Sequence, residues 1–569
     1  MVNDRIVAEV VVECLKRHGV EVMFSQSLPS AALLAAEDAG IRTFTYRQEN
    51  SGGAMADGYA RISHKVGIVT GQNGPAATLL VAPLAEALKS SVPVIALVQE
   101  TERTNFDRNA FQELDHIALF AGCVKWIRRV TEVSRVEDYI DMAFSAATGG
   151  RPGPVVLLLP ADLLKEPASP PSGRQASLGT YPLDRVAPDP ARLDAAVEIL
   201  ANAKNPLVMA GGGVHLSGAC DALAALQETA HFPVMTTVMG KGAVAEDHPL
   251  SLGVGGNVLG RMSLSRHLKT VMDQADVVLL VGTRTAQNGT DSWTVFPKNV
   301  RFIHIDIDAG EVGRNYEALR LIGDAKLTLT ALTEKLRGRR TRSDALVKQI
   351  AAAFEKAAKD VASLLRSDAS PIRPERLMSD IQQVLTPDTI VVADASYSTV
   401  WVASYLKSLR VGMRFLTPRG IAGLGWGLPM ALGARVARPG SPIVCVAGDG
   451  AFAHVWSELE TARRTKTPVV LTILNNGVLG YQKDAEDVKF GRHTSACEFS
   501  PVDHAAIARA CGCRGISIRK PAEYLPALRE ALSLNETTVL DVDTDPEAYP
   551  PITLFDEKLE SIRAERNRK

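Results

Sequence analysis

Twice in this chain a short apolar strand runs into a glycine turn, then a helix, then a second apolar strand. The first instance is VGIVTGQNGPAATLLVAPLAEALKSSVPVIALVQ, 66–99, and the second is SPIVCVAGDGAFAHVWSELETARRTKTPVVLTILNN, 441–476. A right-handed crossover is nearly obligatory for such a unit, so each pair of strands is expected to lie parallel in one sheet. Apolar strands alternate with amphipathic helices over nearly the whole length, the pattern of parallel α/β domains. Two stretches interrupt it. EPASPPSGRQASLGTYPLDRVAPDP, 166–190, reads as a surface linker. The region 336–372 opens on RGRRTR, whose arginines read as a solvated face, and continues as a charged helix to Pro371. The expected fold is therefore α/β, with three doubly wound parallel-sheet domains near 1–165, 190–335 and 372–548, and a tail at 549–569. The two flanking domains share an order of elements that suggests an old duplication, without a repeat at the level of residues.

Composition narrows the function. Of the 569 residues 46% are hydrophobic and 22% charged, and the formal net charge is −1. That balance argues against nucleic acid and against an anionic membrane surface. The N-terminal MVNDRIVAEVVVECLKRHGV carries charges through its apolar positions and reads as neither a signal peptide nor a transmembrane helix. Seven scattered cysteines do not form a disulfide framework, and Cys511-x-Cys513 lacks a second ligand pair for zinc. A cytoplasmic location is expected.

The chemistry concentrates at two turns. The strand 443–447 ends in Gly448-Asp449-Gly450, and the next strand, 468–474, ends in Asn475-Asn476. Parallel pairing brings Asp449 and Asn476 together at carboxyl strand ends, where open α/β sheets bind ligands. One carboxylate and one amide oxygen leave room around a magnesium ion for phosphate oxygens and water. The two glycines allow close approach of a diphosphate, favoured by the following helix N-terminus. A G-D-G alone is also an ordinary turn; two oxygen donors meeting at one place is the more specific signal. In the first domain Glu49 ends the strand RTFTYRQ and leads into the small-residue helix NSGGAMADGYAR. Taken alone, such a glutamate is a helix N-terminal charge.

G-D-G followed by N-N after 24 residues (451–474), together with E-N-S-G-G-A-M-A-D-G-Y-A-R, resembles the thiamine diphosphate enzymes of the acetolactate synthase-like superfamily. The resemblance extends over nearly the whole chain. It implies a pyrimidine-binding N-terminal domain, a central domain and a diphosphate- and magnesium-binding third domain. It implies that Asp449 and Asn476 hold magnesium by their side chains and Val478 by its carbonyl. Gly448, Gly450, Ala451 and Gly74 would line the cofactor. Glu49 would hydrogen-bond N1′ of the pyrimidine, whose C4′ amino group, in imino form, takes the proton from thiazolium C2. The cofactor supplies the hard chemistry and the protein supplies orientation and proton control. TPRGIAGLGWGLPMALGARVA, 417–437, is similar to the segment beneath the cofactor, with Leu424 wedged between its rings. NAFQELDHIALFAGCVKW, 109–126, places Phe111 and Gln112 against the reacting carbons. The family's domain arrangement implies a homodimer as the smallest active unit, with a homotetramer expected.

The resemblance thins at the substrate. Acetolactate synthase carries a Met-Val pair and a Trp after N-N, where this chain has Tyr481, Gln482 and Ala485. A phenol and an amide in place of an indole suggest a larger, more polar pocket. A G-Q-H-Q before Trp401 becomes Ser396-Tyr397-Ser398-Thr399, whose serines can still donate to a diphosphate, with Tyr397 between them counted among the cofactor-binding residues. T-S-G-P-G becomes Gln72-Asn73-Gly74-Pro75-Ala76, and an I-P-G turn becomes Ser27-Leu28-Pro29-Ser30, making Asn73, Ser27 and Ser30 candidates for the pocket. The expected activity is that of a 2-oxo acid decarboxylase–carboligase with a non-standard substrate, a transferase or lyase. A 1,2-diketone hydrolase or 2-hydroxyacyl-CoA lyase acting on a diketone or acyloin is the alternative, and a catalytically silent scaffold a remote one. The central domain's LVMAGGGV, VVLLVGTRT and RFIHIDID are dinucleotide-binding-like but degenerate. FAD is possible there but not favoured, because Gly282-Thr283-Arg284-Thr285-Ala286-Gln287 lacks the aspartates of the flavin-binding stretch. His116, His454 and His493 read as structural residues.

Overall fold

The computed structural model describes residues 5–556, 558, 559, 561 and 562. It contains three six-stranded sheets, each wholly parallel and flanked by helices. Counted along the chain within each domain, the first and third sheets share the strand order 2-1-3-4-6-5, and the central sheet runs 6-5-4-1-2-3. The flanking domains are thus one topology used twice, as the order of elements suggested. Their central strands, such as Val94–Glu100 and Ile443–Gly448, are buried on both faces, which is why they read as continuous apolar runs.

The first and third domains meet through two helices, Glu49–Ser63 and Gly427–Ala437. A Cβ on Gly58 would lie 2.4 Å from the Met430 carbonyl oxygen, and one on Gly433 would lie 2.0 Å from that of Met55. The two backbones approach so closely that each helix must carry glycine where it crosses the other. This is the physical reason for the small-residue composition of both segments, and one apolar core spans the junction.

The linker 166–190 behaves differently from a free surface strap. It lacks regular structure up to Asp189, but the Val66 N–H donates to the Gly179 carbonyl, and the buried Tyr181 donates its hydroxyl to the Ala60 carbonyl at 2.8 Å. Likewise the arginine run is not simply solvated. Arg340 donates to the carbonyls of Leu200, Ala201 and Ala203, completing the end of the helix Pro190–Asn202. The helix foreseen after it spans Asp344–Leu365. In the tail, Phe555 and Leu559 are fully buried in the core of the third domain. Among the described residues no helix is long and apolar enough to cross a membrane.

Candidate active site

The strands Ile443–Gly448 and Val470–Asn475 pair in parallel with Gly448 opposite Leu474, so the two turns emerge side by side. Asp449 opens the short helix that follows, and its Oδ2 accepts the Gly477 N–H at 2.8 Å while Oδ1 accepts that of Gly450 at 2.8 Å. Asn476 Oδ1 accepts the Val478 N–H at 3.2 Å. Asp449, Asn476 and Val478 therefore belong to one knot of backbone. Asp449 is only 6% exposed, and burial pushes its carboxyl above its ordinary value. A buried carboxylate without a cation is costly, and a metal relieves that cost. Among the described residues no group of three or more His, Cys, Asp and Glu side chains could hold a metal alone. One carboxylate, one amide and one carbonyl instead fit a magnesium ion that also takes phosphate oxygens.

The cradle around this knot is equally specific. A Cβ on Gly450 would lie 2.9 Å from the Phe499 ring, whereas one on Gly448 would meet nothing within 4 Å. Open space therefore lies beside Gly448. Strand Ile390–Ala393 lies on the other side and leads to Ser396, which takes φ 67° before the helix Tyr397–Tyr405. Ser398 is buried in that helix's first turn. Tyr397 is committed elsewhere: its hydroxyl donates to Asp484 at 2.6 Å, and its ring packs against Tyr481 and Phe555. Asp394 holds the turn carrying Leu424, accepting the N–H groups of Gly425 at 3.1 Å and Gly427 at 2.7 Å. A Cβ on Gly425, at φ +85°, would lie 2.7 Å from His454, so Leu424 is fixed beside the Asp449 helix.

In the first domain Glu49 is the first residue of its helix and 9% exposed. Among the described residues its carboxylate makes no hydrogen bond or ion pair. The loops around it are tied together. Asn73 Nδ2 donates to the carbonyls of Phe111 and Gln112 at 3.2 and 3.1 Å, and Gln72 donates to Gln112. Gly74, at φ +64°, donates its N–H to His116 Nε2 at 3.0 Å, and His116 Nδ1 lies 3.1 Å from Glu100. The Glu100 carboxylate thus fixes the proton on Nδ1 and leaves Nε2 to accept. His116 braces the Gly74 turn, a structural role as its sequence reading has it, with partners the sequence did not disclose. Phe111 is 85% exposed in the single chain.

The candidate substrate residues divide. Tyr481 and Ala485 lie one turn apart on the helix Gly480–Phe490, with the Tyr481 ring 5.4 Å from that of Phe555. Gln482 donates to Glu486 at 2.9 Å on the exposed side of the same helix. Ser27 is exposed, and its carbonyl accepts from the Ser30 hydroxyl at 2.6 Å. The Asn73 amide nitrogen is spent on loop bracing, leaving its oxygen.

A buried carboxylate at one parallel-sheet turn and a magnesium-type donor set at another, with topologically twin domains carrying them, define a cofactor-dependent α/β enzyme. The chain matches the N-terminal TPP binding domain of thiamine pyrophosphate enzymes over residues 5–119, their central domain over 193–332 and their C-terminal TPP binding domain over 394–542. A probable acetolactate synthase large subunit of Methanococcus aeolicus is 31% identical across 99% of this chain and 96% of its own length. One from Methanocaldococcus jannaschii is 32% identical across 96% and 93%. The acetolactate synthase of Arthrospira platensis is 30% identical across 95% of each. The chain belongs to the thiamine pyrophosphate enzymes, in the acetolactate synthase family.

Proposed function

We propose that the protein is a magnesium-assisted 2-oxo acid decarboxylase–carboligase whose substrate differs from the two pyruvates of acetolactate synthesis. Thiamine diphosphate supplies the carbanion chemistry when bound. The protein's part is orientation and proton control. Asp449, Asn476 and the Val478 carbonyl would hold magnesium. Ser396, Ser398 and the Gly448–Ala451 turn would hold the diphosphate. Glu49 would hold a proton at the pyrimidine N1′, with Leu424 supporting the bent cofactor and Phe111 and Gln112 facing the substrate. The observation that carries the reading is the unpartnered, buried Glu49 carboxylate on the domain that pairs with the Asp449 domain.

The substrate part rests on Tyr481 and Ala485. Their helix face, with Tyr397 and the tail residue Phe555, builds an aromatic wall with one phenol exposed. Such a wall suits a larger or more polar 2-oxo acid than pyruvate, or a diketone or acyloin. FAD stays outside the reading, because Gly282–Gln287 carries an arginine and no carboxylate. Seven unpaired cysteines support a reducing, cytoplasmic setting. Leu79, Phe111, Leu114 and Ile117 expose apolar surface beside the Glu49 domain's loops, which supports a homodimer, with a homotetramer built from it.

A panel of 2-oxo acids, acyloins and diketones tests this, run with thiamine diphosphate, magnesium and FAD and read by mass spectrometry. Turnover of a bulky or polar 2-oxo acid, independent of FAD, is expected. Acetolactate from pyruvate alone at roughly 10 per second or more would contradict the substrate reading.

A further inference from the structure

Between the three domains lies a cavity of about 530 Å³. Gly211–Gly213 and Arg284 of the central domain line it, with Arg151 from the first domain and Arg419 from the third. Its charges are unequal in their company. Arg151 pairs with Asp308 and Glu311 at 3.2 and 3.1 Å. Arg284 and Arg419 pair with nothing: among the described residues neither guanidinium makes a hydrogen bond or an ion pair. Both are half-buried, and that burial lowers the proton affinity of each.

The acids around them are already engaged: Glu311, beside Arg284, pairs with Arg151 and Arg314, and Glu86, within reach of both arginines, is held by backbone. Glu86 is 1% exposed, and its oxygens accept the N–H groups of Gly420 and Ile421, both at 2.6 Å, and of Ala422 at 3.3 Å. Its Oε1 also accepts the Ser90 hydroxyl at 2.6 Å and lies 3.6 Å from Arg61. The same Glu86 contacts fix the backbone beside Arg419, so the guanidinium stands on a rigid turn. That turn also carries Leu424, and Arg419 lies within the electrostatic reach of Tyr481 on the candidate substrate helix. A half-buried guanidinium without a carboxylate partner, on a braced turn, is poised to be completed by one, and its planar fork matches a carboxylate.

We infer that Arg419 is a specificity-determining residue that binds the carboxylate of a substrate entering from the cavity between the three domains. This deepens the 2-oxo acid reading and rests on it. The fork would take both carboxylate oxygens, with Arg284 adding positive field within the same cavity. A neutral diketone or aldehyde would leave the guanidinium uncompleted, so the site selects acids over neutral carbonyl compounds.

The test uses the holoenzyme, loaded with thiamine diphosphate and magnesium, and needs no turnover. Its failure is therefore distinct from a failure of the proposed reaction. Calorimetry would follow binding of malonate, its neutral dimethyl ester and ADP to the wild type, Arg419→Met and Arg419→Lys. Malonate should bind the wild type and the ester should not. Arg419→Met should weaken malonate by about tenfold or more, the scale of a charge-assisted pair, and Arg419→Lys by less. Because Arg419→Met removes a half-buried charge that has no carboxylate partner, its melting temperature should not fall. Equal malonate affinity in wild type and Arg419→Met, or no malonate binding to the wild type, would overturn the assignment. ADP binding that depends on Arg419 while malonate binding does not would also overturn it, in favour of a nucleotide phosphate. So would a clear loss of melting temperature in Arg419→Met, which would make the guanidinium a structural group.

Discussion

The carboxylate of Glu458, in the third domain, accepts the backbone N–H of Gln48 at 3.2 Å, one residue before Glu49 in the first. It also accepts the Arg47 N–H at 3.1 Å and the Thr461 hydroxyl at 2.7 Å, and it is fully buried. The entry to the Glu49 helix is thus set by a side chain from the other cofactor domain. Glu458→Ala should let Glu49 drift while leaving the diphosphate cradle intact. The expected outcome is a roughly 10- to 100-fold slower proton exchange at C2 of the bound cofactor, by analogy with the cost of small misplacements. Thiamine diphosphate affinity, measured by calorimetry, should change little. Unaltered exchange would show that the Glu458 contacts do not position Glu49.

Removal of the proposed metal ligand separates binding from chemistry in the opposite sense. Asp449→Ala should abolish magnesium-dependent binding of thiamine diphosphate, since it deletes the one carboxylate of the donor set. Calorimetry with and without magnesium measures it. Binding equal to wild type in the presence of magnesium would put the site elsewhere.

How much of this was visible in the sequence depends on the distance over which a residue acts. Asp449 and Asn476 were legible because strand, helix and strand lie in sequence and parallel pairing is almost the only outcome. Three parallel-sheet domains were legible for the same reason. Glu458 was not: in SELETARR it reads as an ordinary helix charge, and its partners Arg47 and Gln48 are about four hundred positions away. The partners of His116 and Arg340 were hidden likewise, because a bond from a side chain to distant backbone leaves no periodic trace. Asn73 could be placed near the site but not oriented, and its amide turned out to brace a loop. Tyr397 was read as a cofactor residue through its neighbours, while its hydroxyl belongs to Asp484.

Association should depend on the apolar surface around the Glu49 loops. Leu79, Leu114 and Ile117 are 39%, 42% and 41% exposed. A Leu79→Asp, Ile117→Asp double variant should run as a chain of 61.0 kDa in light scattering and lose cofactor activation, whereas the wild type should contain at least two chains. A wild type that is monomeric and active would contradict the homodimer as the smallest active unit.

Asp394 predicts a pH dependence of stability. Burial pushes its carboxyl up to about 6, despite the N–H groups it accepts. The folded value lies above the unfolded one of about 3.9, so the group's stabilising contribution is complete below that pH and is lost as pH rises through about 6. Asp394→Asn does not titrate. The melting temperature of the wild type minus that of Asp394→Asn should therefore shrink between about pH 4 and 7. A difference that grows with pH would show the carboxylate to be stabilised in the fold.

The central claim is that Glu49 controls a proton on a cofactor gripped by other residues. Glu49→Gln keeps the shape and a hydrogen-bonding amide but cannot carry the N1′ proton. Hydrogen–deuterium exchange at C2 of bound thiamine diphosphate, by quenched flow and proton NMR, measures that step without knowledge of the substrate. The account predicts that exchange falls about 10²–10⁴-fold in Glu49→Gln, the usual contribution of general acid–base catalysis, while cofactor affinity falls only modestly. Exchange as fast as in the wild type would remove Glu49 from the mechanism.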